Sequence, residues 1–425
     1  MKLKKEEKKK GVKKEIGNEL DFAAYEKEVV AGLMSGKGLL GEEGLLKPLI
    51  ARFVESALDA EMTAHLLAEK ADPTAKLNKR NGPMSKDIRT ECGDVEINYH
   101  RDRTGTFEPV TVGKRQHELA VGFDHQILEL YAMSNSVEDI RMHLEKMYGA
   151  RMSDGRISGV INATWDVVDA WHKRPLAACY VVLFIDAVHI TVRRNGHYSK
   201  VAVYVMYGIT VNGTREIVAL NVGQAGESAT EWGRCLQDLK SRGVEDVFHI
   251  CSDGLTGLKE VLEVAFPQSS IQRCVVHKIR NCMKLIDEKD KRQVLRELKE
   301  VYTALNEAQA RQRLEDFGRR WTGKYDCIVQ LWEKDWTELM ACMQLGVEFR
   351  KITYTTNAIE NLNREIRRVT KAKGGWPSEK SLLIQLHLSL ERKASSWNKK
   401  VRGWPTIQRE LIQTYGERYA KHLNE

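Results

Sequence analysis

The sequence predicts an α/β protein, with one mixed sheet in the second half of the chain and long helical stretches around it. Three observations predict it. Five strand-like runs lie between Cys179 and Val276, the first three joined by hairpin signals and the last two reached through amphipathic helices. Before residue 176, and again over 285–350, apolar residues recur at helical spacing. The chain has 425 residues, 42% hydrophobic and 30% charged, an ordinary globular composition but too long for a single core.

Residues 1–20 carry eight lysines in their first fourteen positions with no apolar segment behind them. This is not a secretory leader. It reads as a solvated, disordered basic tail, with contact to DNA phosphates as the sharper alternative. Residues 21–77 read as a helical region for dimerisation or DNA binding, with helical spacing over Leu45–Leu67. Residues 78–115 read as a small β-hairpin module. Asn78-Lys-Arg-Asn-Gly82 is a turn signal, Asp87–Thr90 and Val95–Tyr99 alternate around Cys92-Gly93, and Arg101–Pro109 is a charged loop.

Residues 116–175 read as a helical DNA-binding region, opening with a helix over Gln116–Ala132. Ser136-Val-Glu-Asp139 is a capping box ahead of Ile140, Leu144 and Met147, and Tyr148-Gly149 stops that helix. Ser153 caps the next, which runs through Ile157, Val160 and Ile161. Two short helices about a tight turn outline a helix-turn-helix, with Ser153–Thr164 in the recognition position. Arg151, Arg156 and Asn162 are the polar residues best placed to touch DNA, although many helical hairpins of this outline bind nothing.

Residues 176–284 open the core. Strands are expected at Val181–Val192, Lys200–Val211 and Glu216–Val222, turned by Arg193-Arg-Asn-Gly196 and by Asn212-Gly213, a type I′ signal. A helix over Ala229–Arg242, a strand over Val247–Asp253, a helix over Leu255–Ala265 and a strand over Ile271–Val276 follow, with a helix starting near His277. This β-β-β-α-β-α-β-α order is that of a ribonuclease-H-like sheet, in which the first and fourth strands are neighbours. Residues 285–350 read as a helical insertion, 351–395 as the return to the core with helices over Thr356–Lys371 and Glu379–Lys393, and 396–425 as a C-terminal helical region. Trp232, Trp321, Trp332 and Trp336 read as core residues first, and only second as a platform for an unpaired base.

Three carboxylates stand out. Asp186 interrupts the apolar run Val181–Val188, Asp253 ends a second strand, and Glu360 opens the most basic helix. An unpaired carboxylate inside a sheet costs about several kcal/mol unless it is neutralised, paired or bound to a metal. The strand order makes Asp186 and Asp253 neighbours, and a helical insertion accounts for the 106 residues between Asp253 and Glu360. Three converging hard-oxygen ligands suit Mg²⁺, with Mn²⁺ as a substitute, for phosphodiester chemistry at two metal ions. Asp186 would bridge the two, and Asp253 and Glu360 would each hold one.

Glu360, Arg364, Arg367 and Lys371 recur every three or four residues and share one helix face, so a ligand and a phosphate grip lie side by side. Arg368 and Lys373 are left as a solvated face paired with Glu365. The net charge of +8 is concentrated here: residues 351–425 hold 15 Lys+Arg against 7 Asp+Glu, leaving the rest of the chain neutral. A polyanion such as double-stranded DNA is the partner this implies. Cys274-Val-Val-His277 is half of a zinc ligand set without a second half, so structural zinc is disfavoured. His277 is open to a general-base role or to plain packing. Eight scattered cysteines suit reduced thiols in a cytoplasmic protein, and no apolar stretch is long enough for a membrane span.

Taken together, Asp186, Asp253-Gly-Leu-Thr-Gly257, Gln272–Asn281 and Thr355-Thr-Asn-Ala-Ile-Glu360-Asn-Leu-Asn-Arg364 resemble the Mutator-type transposases of bacterial insertion sequences, the IS256 group. The likeness also takes in Arg80-Asn-Gly82, Arg101–Pro109, Arg174-Pro-Leu176 and Arg367–Lys373, and so covers residues 40 to 415. It implies a DDE transposase with its acidic triad on Asp186, Asp253 and Glu360. It also implies a site-adjacent role for the Cys274/His277 signature, N-terminal binding of terminal inverted repeats, and action as a homodimer on paired ends. Two departures are visible, His100 before Arg101-Asp-Arg103 and the segment Glu227-Ser-Ala-Thr-Glu-Trp232, and neither touches the triad. Two other classes stay open: a catalytically silent helix-turn-helix DNA-binding protein, and a ribonuclease-H-like nuclease without strand transfer.

Overall fold

A computed structural model describes residues 22–39, 43–71, 77–90, 93–117, 119, 122–148, 152–354 and 357–423. The basic tail and Arg151 lie outside these residues. The chain divides into two compact units, one comprising residues 1–131 and 135–161, the other 132–134 and 162–425.

The first unit contains α1 (Phe22–Met34), α2 (Lys47–Ala71), β1 (Arg80–Thr90), β2 (Gly93–Asp102), α3 (Gly122–Ala132), α4 (Val137–Tyr148) and most of α5 (Asp154–Ala163). Its centre is a helix laid on a hairpin: Val54 and Leu58 of α2 pack against Ile88, Val95, Ile97 and Tyr99. The alternation in β2 buries one face against α2 and leaves the other to solvent. The hairpin is longer than its sequence suggests. Arg80-Asn-Gly82 lies inside β1 rather than in a turn, because a register shift between Arg80 and Pro83 absorbs the proline, which has no N–H for the ladder. Asn78 organises the neighbouring loop instead: its side-chain oxygen accepts from the backbone N–H of Lys79 (2.9 Å) and Arg103 (3.1 Å). The α4 capping box is present, with Asp139 N–H on Ser136 Oγ (3.1 Å) and Ser136 N–H on Asp139 Oδ2 (2.9 Å). Helix α3 starts at Gly122, later than the expected Gln116, with Gln116 and His117 outside it.

The second unit adds α6 (Trp165–Lys173), β3 (Cys179–Arg194), β4 (His197–Thr210), β5 (Arg215–Val222), α7 (Ala229–Ser241), β6 (Asp246–Ser252), α8 (Leu258–Ala265), β7 (Ser270–Arg273) and α9 (Val275–Met283). The five strands form one sheet in the order β5-β4-β3-β6-β7. The β3–β4 and β4–β5 pairs are antiparallel, while β6 runs parallel to β3 and β7 to β6. The expected strands thus pair in the expected order. Strand β3 is buried on both faces, which is why it reads as a continuous apolar run. One face, with Phe184, Val188 and Ile190, packs on Leu362, Ile366 and Leu386; the other, with Leu183 and Ile185, packs on Trp232, Leu236 and Leu262.

Helices α10 (Lys291–Tyr302), α11 (Glu307–Arg320), α12 (Asp326–Lys334) and α13 (Trp336–Met340) form the insertion. They have their own core around Val294, Leu298, Phe317, Trp332 and Leu339. Trp232, Trp332 and Trp336 are buried, and Trp321 is half-buried with its ring N–H on Glu297 (2.9 Å). Then come α14 (Val347–Tyr354), α15 (Asn357–Lys371), α16 (Glu379–Glu391), α17 (Ala394–Trp397), α18 (Trp404–Tyr415) and α19 (Glu417–Lys421). Among the described residues, no helix is long and apolar enough to cross a membrane.

The type I′ turn expected at Asn212-Gly213 falls at the first hairpin instead. Asn195 (φ 48°) and Gly196 (φ 84°) both take left-handed conformations, so the two-residue type I′ turn is there. At the second turn only Gly213 (φ 76°) does so, and its N–H donates to Thr210 O at 2.9 Å, which closes a type I turn with a glycine bulge. A Cβ on Gly213 would stand 2.3 Å from the Trp404 ring, whereas one on Gly196 meets open space. Gly196→Ala is therefore expected to cost about 1 kcal/mol, from backbone strain alone. Gly213→Ala should cost about 3 kcal/mol, because strain and overpacking combine. Thermal unfolding of the two variants measures the difference, and equal losses would contradict the close Trp404 contact.

Candidate active site

Asp186 is 8% exposed, in the middle of β3 on the face that α15 covers. The β3–β6 register pairs Phe184 with Cys251, so two residues further along these parallel strands stand Asp186 and Asp253. Asp253 leaves the sheet there, and its Oδ1 accepts from Leu255 N–H at 3.2 Å. Glu360 lies in the first turn of α15, which packs across β3 through Ile359, Leu362 and Ile366. Strand register therefore sets Asp253 beside Asp186, and helix packing lays α15, with Glu360 in its first turn, across the same face of β3. The three are not drawn together as a set of ligands: among the described residues only Cys179, Asp246 and His422 have ligand atoms all within 4.8 Å. Like charges repel at such spacings, and Glu360 is ion-paired with Arg280 of α9. The Cys179 cluster is no rival, since the Arg418 guanidinium already binds both oxygens of Asp246 (2.8 and 2.6 Å).

The electrostatics of Asp186 are set by burial. Desolvation pushes its carboxyl above the ordinary range; His277, the Ala187 N–H and Arg367 pull it back, while Asp253 pushes it further up. Ala187 N–H donates to Oδ1 at 2.9 Å, and Asn363 Nδ2 donates to Oδ2. His277 was expected near a strand end. It lies on α9, because β7 stops at Arg273 and Cys274 takes the N-cap position. Its imidazole is raised to about 9, by a hydrogen bond with Cys274 first and by the charges of Asp186 and Asp253 as well, against an opposing burial effect. A general-base role at neutral pH would first require that proton to leave.

Three residues near the triad escaped the sequence reading. Asn363 is 1% exposed on the apolar face of α15, and a polar residue on the buried stripe of an amphipathic helix was the available signal. Arg280 follows His277 by one helical turn and so faces the same way. Glu227 precedes Ser228, the N-cap of α7, and accepts from the Trp232 ring N–H at 2.8 Å. Burial raises its carboxyl, the Trp232 bond lowers it, and the charges of Asp253 and Asp186 raise it again.

The expected DNA-contact residues divide. Arg364, Arg367 and Lys371 are all exposed on α15. Arg368 instead pairs with Glu365, which also holds Lys393 (2.6 Å), and Lys373 reaches Gln385 (2.8 Å) rather than Glu365. In the first unit Arg156 is tied to Asp124 (2.9 Å). Asn162 is exposed on the last turn of α5.

In protein stripped of metal by chelation, His277 should titrate near 9 rather than its ordinary 6.5. A folded-state value above the unfolded one means that the stabilisation is fully present below pH 6.5 and is lost as pH rises through 9. NMR of the imidazole nitrogens should give a midpoint near 9. Between these pH values the wild type should lose more Tm than His277→Gln; a midpoint at or below 6.5 would contradict the hydrogen bond with Cys274 and the influence of the two carboxylates.

Residues 25–400 match the family described as "Transposase, Mutator family". A probable transposase for an ISRM3-like insertion sequence element from Sinorhizobium fredii is 34% identical over 400 residues, covering 93% of this chain and 99% of the relative. The transposase for insertion sequence element ISRM3 of Rhizobium meliloti is also 34% identical, with the same coverage. The transposase for IS256 in transposon Tn4001 of Staphylococcus aureus is 26% identical over 359 residues, covering 81% of this chain and 91% of the relative. Among solved structures, a chain of the Drosophila P element transposase strand transfer complex aligns over 73% of this chain and 88% of its own. At a TM-score of 0.28 and 11% identity, that likeness carries no argument. A match over most of the chain, with relatives of this identity aligned almost end to end, places the chain in the Mutator family of insertion-sequence transposases.

Proposed function

We propose that the chain is a metal-dependent DDE transposase on a ribonuclease-H-like core. It would bind the terminal inverted repeats of its insertion sequence as a homodimer, nick DNA by hydrolysis and join the freed end to target DNA. The observation that carries this reading is the placement of Asp253, just past the end of β6, beside Asp186 of the parallel neighbour β3, with Glu360 on the helix packed across β3. The donors fit a hard divalent cation: all three are carboxylates, and beside Asp186 the Asn363 Oδ1 is buried without a hydrogen-bond partner among the described residues. Asp186, Asp253 and Glu360 would hold Mg²⁺ or Mn²⁺, and ions bound there supply charge stabilisation to the attacking and leaving oxygens.

The chain's own residues do the rest. Arg364, Arg367 and Lys371 form an exposed cationic row beyond Glu360, suited to holding DNA phosphates beside the scissile bond. Before a metal is bound, His277 would carry a positive charge near Asp186 and Asp253 and limit their mutual repulsion. In the first step a water oxygen bonds to phosphorus as the bond to the 3′ oxygen breaks, leaving a 3′-hydroxyl. In the second, that 3′ oxygen bonds to a target phosphorus as the target's own P–O3′ bond breaks; the attacking hydroxyl gives its proton to the solvent and the leaving 3′ oxygen takes one up. Helices α4 and α5 would serve as the helix-turn-helix, with Arg151, Arg156 and Asn162 directed at DNA once Arg156 leaves Asp124.

The test is cleavage of a duplex carrying the element's own end, with Mg²⁺ present. Cleavage should require the metal. It should fall about 10³-fold or more in Asp186→Asn and Glu360→Gln, the scale of several kcal/mol of lost charge stabilisation, while DNA binding persists. Full cleavage by either variant would remove that residue from the site. Cleavage without joining to target DNA would favour a nuclease.

A further inference from the structure

Resting on the metal-site reading above, we propose that Asn363 is a positioning residue of that site, orienting the Asp186 carboxylate and presenting its own carbonyl to a water bound to the ion. Helix α15 packs on the sheet through Ile359, Leu362 and Ile366. Asn363 lies among them, 1% exposed, where an aliphatic side chain would pack without desolvating an amide. One end of that amide is in use, since Nδ2 donates to Asp186 Oδ2. The other is not: Oδ1 is buried and, among the described residues, has no hydrogen-bond partner.

The two ends point to one job. The Nδ2 donor and the Ala187 N–H at 2.9 Å hold one oxygen each of Asp186, so the carboxylate cannot rotate freely, and the Ala187 bond favours its charged form against burial. Each oxygen keeps a lone pair for a cation. The orphaned Oδ1 belongs to the same planar amide and stands beside the same carboxylate, where a water on a cation held by Asp186 would have a proton to donate. Glu360, Asn363 and Arg367 follow one another at spacings of three and four, so one face of α15 sets a ligand, a positioning amide and a phosphate-holding cation in register. Partners that orient a metal ligand typically change metal affinity about 10- to 100-fold when removed.

The measurement is Mn²⁺ binding to the full chain, followed by electron paramagnetic resonance, with Tm recorded in parallel. Asn363→Leu and Asn363→Ala should bind Mn²⁺ about 10-fold or more weakly. Both substitutions also remove the bond to buried Asp186 Oδ2, so each should lower Tm, and the Mn²⁺ affinity of the folded chain is the deciding readout. A purely structural asparagine would lower Tm and leave the affinity alone. Wild-type Mn²⁺ affinity in a folded Asn363→Leu or Asn363→Ala chain, with binding lost in Asp186→Asn, would overturn the proposal by itself. Undiminished binding in Asp186→Asn would instead overturn the metal-site reading, and this inference with it.

Discussion

A carboxylate desolvated in the middle of a sheet is the constraint around which the larger unit is organised. Strand β3 is buried on both faces and would be most stable as an unbroken aliphatic run, yet it carries Asp186. Such a group persists only with compensation on every side. The compensation comes from three elements: a backbone N–H of β3 itself, the Asn363 amide and Arg367 of α15, and an imidazole from α9. These elements are far apart in the chain. The packing of α15 on β3 and the position of α9 at the end of β7 are therefore conditions for burying Asp186 at all.

Helix α15 meets that condition by carrying two kinds of residue on adjoining faces. Its apolar stripe fixes depth and rotation against the sheet, and this sets where Glu360, Asn363 and Arg367 stand. Its exposed side carries Arg364 and Lys371, while Glu365 is satisfied by Arg368 and Lys393 and does not compete for the site. The insertion between β7 and α15 folds about its own core of Val294, Phe317, Trp332 and Leu339. A long excursion that buries its own apolar surface leaves the sheet intact, and loop length alone adds little entropy. The separation of Glu360 from Asp253 in sequence is thus compatible with the packing of α15 across β3.

Local patterns in the sequence were reliable where local physics decides. The alternating and continuous apolar runs located all five core strands, and Ser136 with Asp139 formed the capping box their spacing suggests. They misled where two local solutions lie close in energy. Asn195-Gly196 and Asn212-Gly213 are both turn signals, but only the first adopts the two-residue form. At the second, Trp404 packs against Gly213 and Val401 N–H bonds its carbonyl at 2.9 Å, contacts from nearly two hundred residues away. Arg80-Asn-Gly82 is likewise drawn into a strand by pairing with β2.

The amino-acid sequence by itself determined the strand order, the helical insertion and the three carboxylates, because each is written in periodicity, in turn chemistry or in a charge where apolar residues belong. Only the tertiary structure decided which groups stand beside those carboxylates. Asn363, Arg280 and Glu227 are ordinary polar residues on their own elements, and they acquire a role only when helix packing and strand register bring them to Asp186, Glu360 and Asp253. Likewise Arg156, which reads as a free cation in its helix, is held by Asp124 from a different helix. Periodicity reports which face of an element is buried, whereas the partner across that face depends on packing between segments far apart in the chain.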